Sequence, residues 1–199
     1  WSAASYFYSI AMLAEHAERE PKGLTNQQIQ GDSIIAAIAD SFGVETTYNE
    51  NAIIITKVRK PDFSLYNFDF LECPDLAQTV IAFCAALKIE VNCNGLQTLR
   101  IKETDRIAAL DNELQKLGLA SLIEIDSNNW QLKSNQLTTH NSALTTISTY
   151  DDHRMAMAFA PLALKLNKIK IEEPHVVTKS YPMFWKDLEK VGFEITATI

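Results

Sequence analysis
A short glycine motif recurs along the chain at a spacing of about 75 residues, and it constrains how everything else can be arranged. Phe42-Gly43-Val44, Leu117-Gly118-Leu119 and Val191-Gly192-Phe193 share one apolar-Gly-apolar pattern. Each glycine closes a helical-looking stretch, residues 28–41, 102–116 and 184–190. Glycine takes the left-handed backbone just past a helix end without a Cβ penalty, so it reads as the stop. A strand-like segment follows each time, at residues 44–48, 121–125 and 193–196. A unit this small cannot bury its own apolar face, so the copies have to share a core.

A second series keeps the same period. Residues 2–14, 75–87 and 153–164 are small and apolar nearly all round, which is the pattern of a buried helix. The last two end alike, in Ala85-Ala86-Leu87-Lys88 and Leu162-Ala163-Leu164-Lys165, and run into alternating segments at 89–91 and 169–171. Residues 53–55 and 130–132 add a further strand to the first two units, and the third has no counterpart. Residues 133–142 are polar without an apolar period and predict a surface loop. The expected fold class is α/β, three repeated units with buried helices inside sheets. No Gly/Ser-rich or Pro-rich linker interrupts the 199 residues, so a single domain over 1–199 is expected.

Composition narrows the partners. Acidic side chains outnumber basic ones 25 to 18, for a net charge of -7. Nucleic acids and anionic membranes are bound by basic surfaces, so neither is expected as a partner. A few local cations can still build a site for a small anion. Cys73, Cys84 and Cys93 form no CxxC pair and leave an odd thiol, the pattern of reduced cysteines in a cytoplasmic protein. His16, His140, His153 and His175 are scattered without zinc spacing, so no metal is expected. No apolar run approaches the roughly 20 residues of a membrane helix. The start lacks both an initiator methionine and the basic region of a signal peptide, which fits a piece or processed product of a longer chain.

Charge gathers in two places. Leu99-Arg100-Ile101-Lys102-Glu103-Thr104-Asp105-Arg106 passes from strand to helix, with Lys102 and Arg106 at i and i+4 on one predicted face. Two cations in a first helical turn make an anion site, because exposed amides there already favour negative charge. The plainer reading is a solvated helix start with Glu103–Arg106 as a surface pair. Two cations in a first turn oppose the helix dipole, which counts against that reading. Tyr150-Asp151-Asp152-His153-Arg154 precedes a buried helix, with Asp152 as a candidate N-cap. Arg154 then enters that helix, where a guanidinium is costly unless it meets a carboxylate or phosphate. His153 could be an acid–base group or a histidine held near a cap. Asp75 opens the equivalent helix one repeat earlier, as an N-cap or as a base. Lys179-Ser180-Tyr181-Pro182 adds a cation before the last helix. Lys and Arg at helix starts beside isolated carboxylates suit acid–base chemistry on a multiply anionic substrate.

The segments around Lys102-Glu103-Thr104-Asp105-Arg106, Asp152-His153-Arg154-Met155-Ala156-Met157 and Lys179-Ser180-Tyr181-Pro182 resemble three signature regions of the 3-phosphoshikimate 1-carboxyvinyltransferase (enolpyruvylshikimate-phosphate synthase) family. Trp1-Ser2-Ala3-Ala4-Ser5-Tyr6 and Pro74-Asp75-Leu76-Ala77 match it too, in order and spacing. The resemblance covers essentially the whole chain. It implies an inside-out barrel domain of three β-α-β-α-β-β units, one of two domains whose cleft holds the active site.

The resemblance also implies roles. Asp75 corresponds to the proton acceptor and Glu103 to the proposed proton donor. Lys102 corresponds to a ligand of shikimate 3-phosphate, and Arg106, Arg154 and Lys179 to the cations around phosphoenolpyruvate. Thr98 stands where some members carry an Asn that binds the sugar-like substrate. Phosphoenolpyruvate and shikimate 3-phosphate are the implied partners, together with the other domain of the same chain. No cofactor is implied, and a monomer is expected. Two alternatives share the fold, a UDP-N-acetylglucosamine enolpyruvyltransferase and a non-catalytic ligand-binding module. The first does not usually show the paired KETDR and DHRMAM motifs, and the second is expected to have lost the charged residues.

Overall fold
The computed structural model describes residues 1–24, 30–61, 65–135 and 144–197. Three helices form the interior: α1 (Ser2–Leu13), α3 (Ala77–Ala86) and α5 (His153–Phe159), each packed against the other two. A second series, α2 (Ile35–Ser41), α4 (Arg106–Lys116) and α7 (Phe184–Lys190), alternates with them in sequence, and α6 (Ala163–Leu166) extends the third interior helix. Composition separates the two series. Nine of the ten residues of α3 are buried, against six of eleven in α4, whose outer face is mostly polar.

The strands close around these helices in a repeated order. β1 (Glu18–Arg19), β2 (Val44–Tyr48) and β3 (Ile53–Lys57) form an antiparallel sheet in the order β1-β3-β2. β4 (Tyr66–Asp69), β5 (Val91–Asn94), β6 (Ala120–Glu124) and β7 (Asn129–Ser134) form a second sheet in the order β4-β5-β7-β6. Its last three strands repeat the arrangement of the first sheet. β4 and β5 are parallel and joined through α3, a βαβ crossover. β8 (Thr146–Ile147) and β9 (Lys170–Ile171) repeat that crossover around α5. Alternation sets the buried side: in β7, Trp130 and Leu132 face the core while Asn129 and Lys133 face out. Phe42, from the end of α2, packs edge-on against Phe83 of α3 with ring centroids 5.1 Å apart, tying the two layers together.

The threefold reading of the sequence holds, with local corrections. The helix read over 102–116 begins at Arg106, because the Asp105 side chain accepts from the amides of Ile107 and Ala108 and caps it there. The helix read over 28–41 is a 3-10 turn (Gly31–Ile34) leading into α2, and residues 25–29 lie outside those described. The strand read at 89–91 is β5, two residues later. Residues 193–197 form no strand; a lone extended segment gains nothing without a partner ladder. Most of the loop read at 133–142 lies outside the described residues, and Lys133 and Ser134 belong to β7. Gly43, Gly118 and Gly192 all have positive φ, at 78°, 69° and 102°, as helix stops require. Cys73, Cys84 and Cys93 are buried free thiols. Among the described residues no helix is long and apolar enough to cross a membrane.

Candidate active site
The N-terminal ends of α3 and α5 are held side by side by Arg154, and α4 begins against both. Arg154 Nη2 donates to Asp75 Oδ2 at 2.8 Å, and its Nη1 donates to the Asp75 carbonyl at 3.1 Å. Asp75 lies in the 3-10 turn Pro74–Leu76 that leads into α3, and its carboxylate makes no capping bond. It is an ion-pair centre, which corrects the N-cap alternative. Its other oxygen accepts from Arg106 Nη1 at 3.0 Å and lies 3.7 Å from Lys102 Nζ.

Arg106 occupies the first position of α4 and is 1% exposed. Its Nε donates to Asp152 Oδ2 at 2.6 Å and its Nη2 to Glu103 Oε2 at 2.5 Å. The Glu103–Arg106 pair is therefore not a solvated surface contact. The reading of Lys102 and Arg106 on one helical face is also corrected: Lys102 lies in the bend before α4 and reaches Asp75 from outside the helix. Asp152 is 0% exposed; Oδ1 accepts from the Arg154 amide at 2.8 Å, capping α5 as expected. Its second oxygen, bonded to Arg106, is a role the N-cap reading did not include.

Three cations, Lys102, Arg106 and Arg154, thus face three carboxylates, Asp75, Glu103 and Asp152, in one contiguous network. Lys179 stands one step outside it. Its Nζ donates to the carboxylate and to the carbonyl of Asp151, each at 2.7 Å, and that contact holds the Asp151 carboxyl below its usual range. Thr98 is exposed on the 3-10 turn Gln97–Ile101 and makes no bond to the network. His153 borders it, with Nδ1 3.8 Å from Asp152; burial above all pushes its pKa down, opposed by Asp152, so the imidazole is neutral near pH 7. An open depression lined by Glu20, Lys22, Tyr48 and Asn49 shares no residue with the network.

This geometry can hold anions and move protons. Carboxylates bonded to guanidinium groups are held in fixed positions, and Asp75 and Glu103 remain partly open to solvent beside Lys102. The N-terminal ends of α3 and α5 meet in the same region, where the positive ends of the helix dipoles favour negative charge.

The EPSP synthase (3-phosphoshikimate 1-carboxyvinyltransferase) family model matches residues 1–188. The chain belongs to the EPSP synthase family. Relatives within it include the 3-phosphoshikimate 1-carboxyvinyltransferase of Bacteroides fragilis (strain YCH46), 46% identical over 98% of this chain and 47% of its own length. The Mannheimia haemolytica protein of the same name is 30% identical over 96% of this chain and 42% of its own. The chain spans about half the length of the curated EPSP synthase relatives it matches. An EPSP synthase structure from Acinetobacter baumannii superposes over the whole chain and 47% of its own, with TM-score 0.77 and 19% identity. The enolpyruvyl transferase NikO of Streptomyces tendae superposes over 98% of this chain and 43% of its own, with TM-score 0.63 and 15% identity. At those identities the two structures establish the fold alone.

Proposed function
We propose that this chain is one domain of an enzyme that transfers the enolpyruvyl group of phosphoenolpyruvate to the 5-hydroxyl of shikimate 3-phosphate, releasing phosphate. The observation that carries this reading is the convergence of Asp75, Lys102, Glu103, Arg106 and Arg154 at adjoining helix ends, from segments up to 79 residues apart. Family membership supplies the reaction class, and the network supplies groups suited to each step.

Glu103 gives a proton to the methylene carbon of phosphoenolpyruvate, which makes the adjacent carbon electrophilic. The 5-hydroxyl oxygen attacks that carbon while Asp75 takes its proton. The tetrahedral adduct then loses inorganic phosphate, which leaves with the proton Asp75 had taken, and one methyl proton, which restores the double bond and returns Glu103 to its acid form and Asp75 to its base form. Every step is a proton transfer or a C–O bond change, so no cofactor is required. Asp75, the proton acceptor in this scheme, has both oxygens engaged by Arg154 and Arg106. Substrate anions that draw Arg154 and Lys102 to themselves would release Asp75 for that role. Arg106 is buried with all three nitrogens bonded, so it reaches phosphoenolpyruvate only by giving up a carboxylate. Otherwise it keeps Asp75 and Glu103 in place.

The charge balance calls for a second half. Three cations opposed by three carboxylates leave no surplus for two multiply anionic substrates, so further cations must come from elsewhere in the longer enzyme. The enzyme is proposed to be a cytoplasmic monomer. Phosphate release by the full-length enzyme tests the reading, with shikimate 3-phosphate or UDP-N-acetylglucosamine as acceptor. Release with the shikimate acceptor alone is expected, and release with the nucleotide sugar alone would transfer the substrate assignment and overturn it.

A further inference from the structure
The segment from β8 to α5 is clasped along α4 at successive turns. Lys116 Nζ donates to the Thr146 carbonyl at 3.3 Å, the Ser148 amide donates to Glu113 Oε2 at 3.3 Å, and the Tyr150 hydroxyl donates to Glu113 Oε1 at 2.8 Å. Arg106 then takes Asp152. Glu113 and Arg106 are seven residues apart, hence on one face of α4 and about 10 Å apart along it. Glu113 is fully buried on α4, and Lys116 completes its neutralisation with contacts of 2.6 and 2.7 Å.

The clasped segment is locally unfavourable. Tyr150 and Asp151 have φ of 55° and 56°, consecutive left-handed residues with no glycine between them, and the Asp152 amide closes the turn on the Thr149 carbonyl at 2.9 Å. A bulky aromatic in that region is an outlier that persists only where its surroundings impose it. The turn also aims its neighbours. It delivers the Asp152 carboxylate to Arg106 and both acceptors of Asp151 to Lys179. The Tyr150 hydroxyl is thus anchored from α4, through Glu113.

We infer that Glu113 is a positioning residue which, through the Tyr150 hydroxyl, holds the left-handed turn that sets Arg106 and Lys179 in register at the site. Its consequence for activity rests on the function proposed above together with the family resemblance, which places Arg106 and Lys179 around phosphoenolpyruvate. Lys102 and Asp75 depend on the turn only indirectly, so the acceptor substrate should be little affected.

The test uses the full-length enzyme with Tyr150→Phe, which keeps the ring and removes the donor, and Glu113→Gln, which keeps an acceptor. Tyr150→Phe should raise KM for phosphoenolpyruvate five- to tenfold, with KM for shikimate 3-phosphate within twofold, and Glu113→Gln, which still accepts from the Tyr150 hydroxyl, should show a much smaller rise. An unchanged KM for phosphoenolpyruvate, or equal rises for both substrates, would overturn the inference. A crystal structure of the Tyr150→Phe enzyme separates this from the function itself. Residues 150 and 151 should leave the left-handed region and the Arg106–Asp152 bond should lengthen beyond hydrogen-bonding range, whether or not the protein is active on these substrates. A turn that keeps its backbone in that variant would overturn the inference even where the enzyme proves active.

Discussion

Replacing Arg106 by methionine tests how the charged network is held together. The arginine is 1% exposed and bonds Asp152, Asp75 and Glu103 at 2.6, 3.0 and 2.5 Å. Methionine has a similar reach and donates nothing, so the buried Asp152 carboxylate keeps only the Arg154 amide. Removing one partner of a buried pair costs about 3–5 kcal/mol, because the charge left behind stays desolvated. Asp75 and Glu103 are partly exposed and Asp75 keeps Arg154, so they add little and a loss of about 3 kcal/mol is expected. For a chain of this size that lowers Tm by about 6–12 °C. Urea unfolding of the 199-residue chain, followed by far-UV circular dichroism, reads the loss as a lower midpoint at constant slope. Lys190→Ala removes the same charge from an exposed pair with Asp187 and should stay within about 0.5 kcal/mol. Adding Asp152→Asn to Arg106→Met should return part of the loss, since the amide carries no charge and can still cap α5. A loss under about 1 kcal/mol, or a double variant as unstable as the two singles summed, would refute the reasoning.

Three further outcomes are expected. Burial lowers the folded pKa of His153 below its ordinary value of about 6.5, so the unfolded chain binds its proton first as pH falls. Stability should therefore decline from about pH 6.5 downward until the folded imidazole also protonates, and His153→Gln should show a shallower decline in urea midpoints measured between pH 7 and 5. Gly118→Ala meets nothing within 4 Å and should cost only the left-handed strain, about 1 kcal/mol, whereas an Ala Cβ at Gly43 would overlap the Arg59 carbonyl oxygen and should cost clearly more by the same titration. The 199-residue chain alone should release no phosphate above the uncatalysed rate, because its cations are matched by its own carboxylates and roughly 7–11 kcal/mol of barrier lowering depends on positioning; measurable turnover by it would contradict that.

The repeat was legible because each of its marks is a local necessity. A helix stop needs a residue that accepts positive φ, and Gly43, Gly118 and Gly192 mark the ends of α2, α4 and α7. A helix buried on every side needs small apolar residues, and α1, α3 and α5 carry them. The site was legible as a list of residues more than as a geometry. Arg154 meets Asp75 across 79 residues and Arg106 meets Asp152 across 46, and no local pattern encodes which cation takes which carboxylate. Asp105 shows the limit on a smaller scale. Its capping bonds start α4 at Arg106, and that one event moved Lys102 off the helix face where a spacing argument had put it. Glu113 and Tyr150 gave no chemical signal of their own; the seven-residue interval between Arg106 and Glu113 was the trace available.

Single-turnover phosphate release by the full-length enzyme carrying Asp75→Asn tests most directly whether this network performs the chemistry. A positioned general base contributes about 10²–10⁴-fold, so the rate with shikimate 3-phosphate and phosphoenolpyruvate should fall by at least about 100-fold while the enzyme remains folded. A rate within about tenfold of the unaltered enzyme would place the base elsewhere and leave the network a structural one.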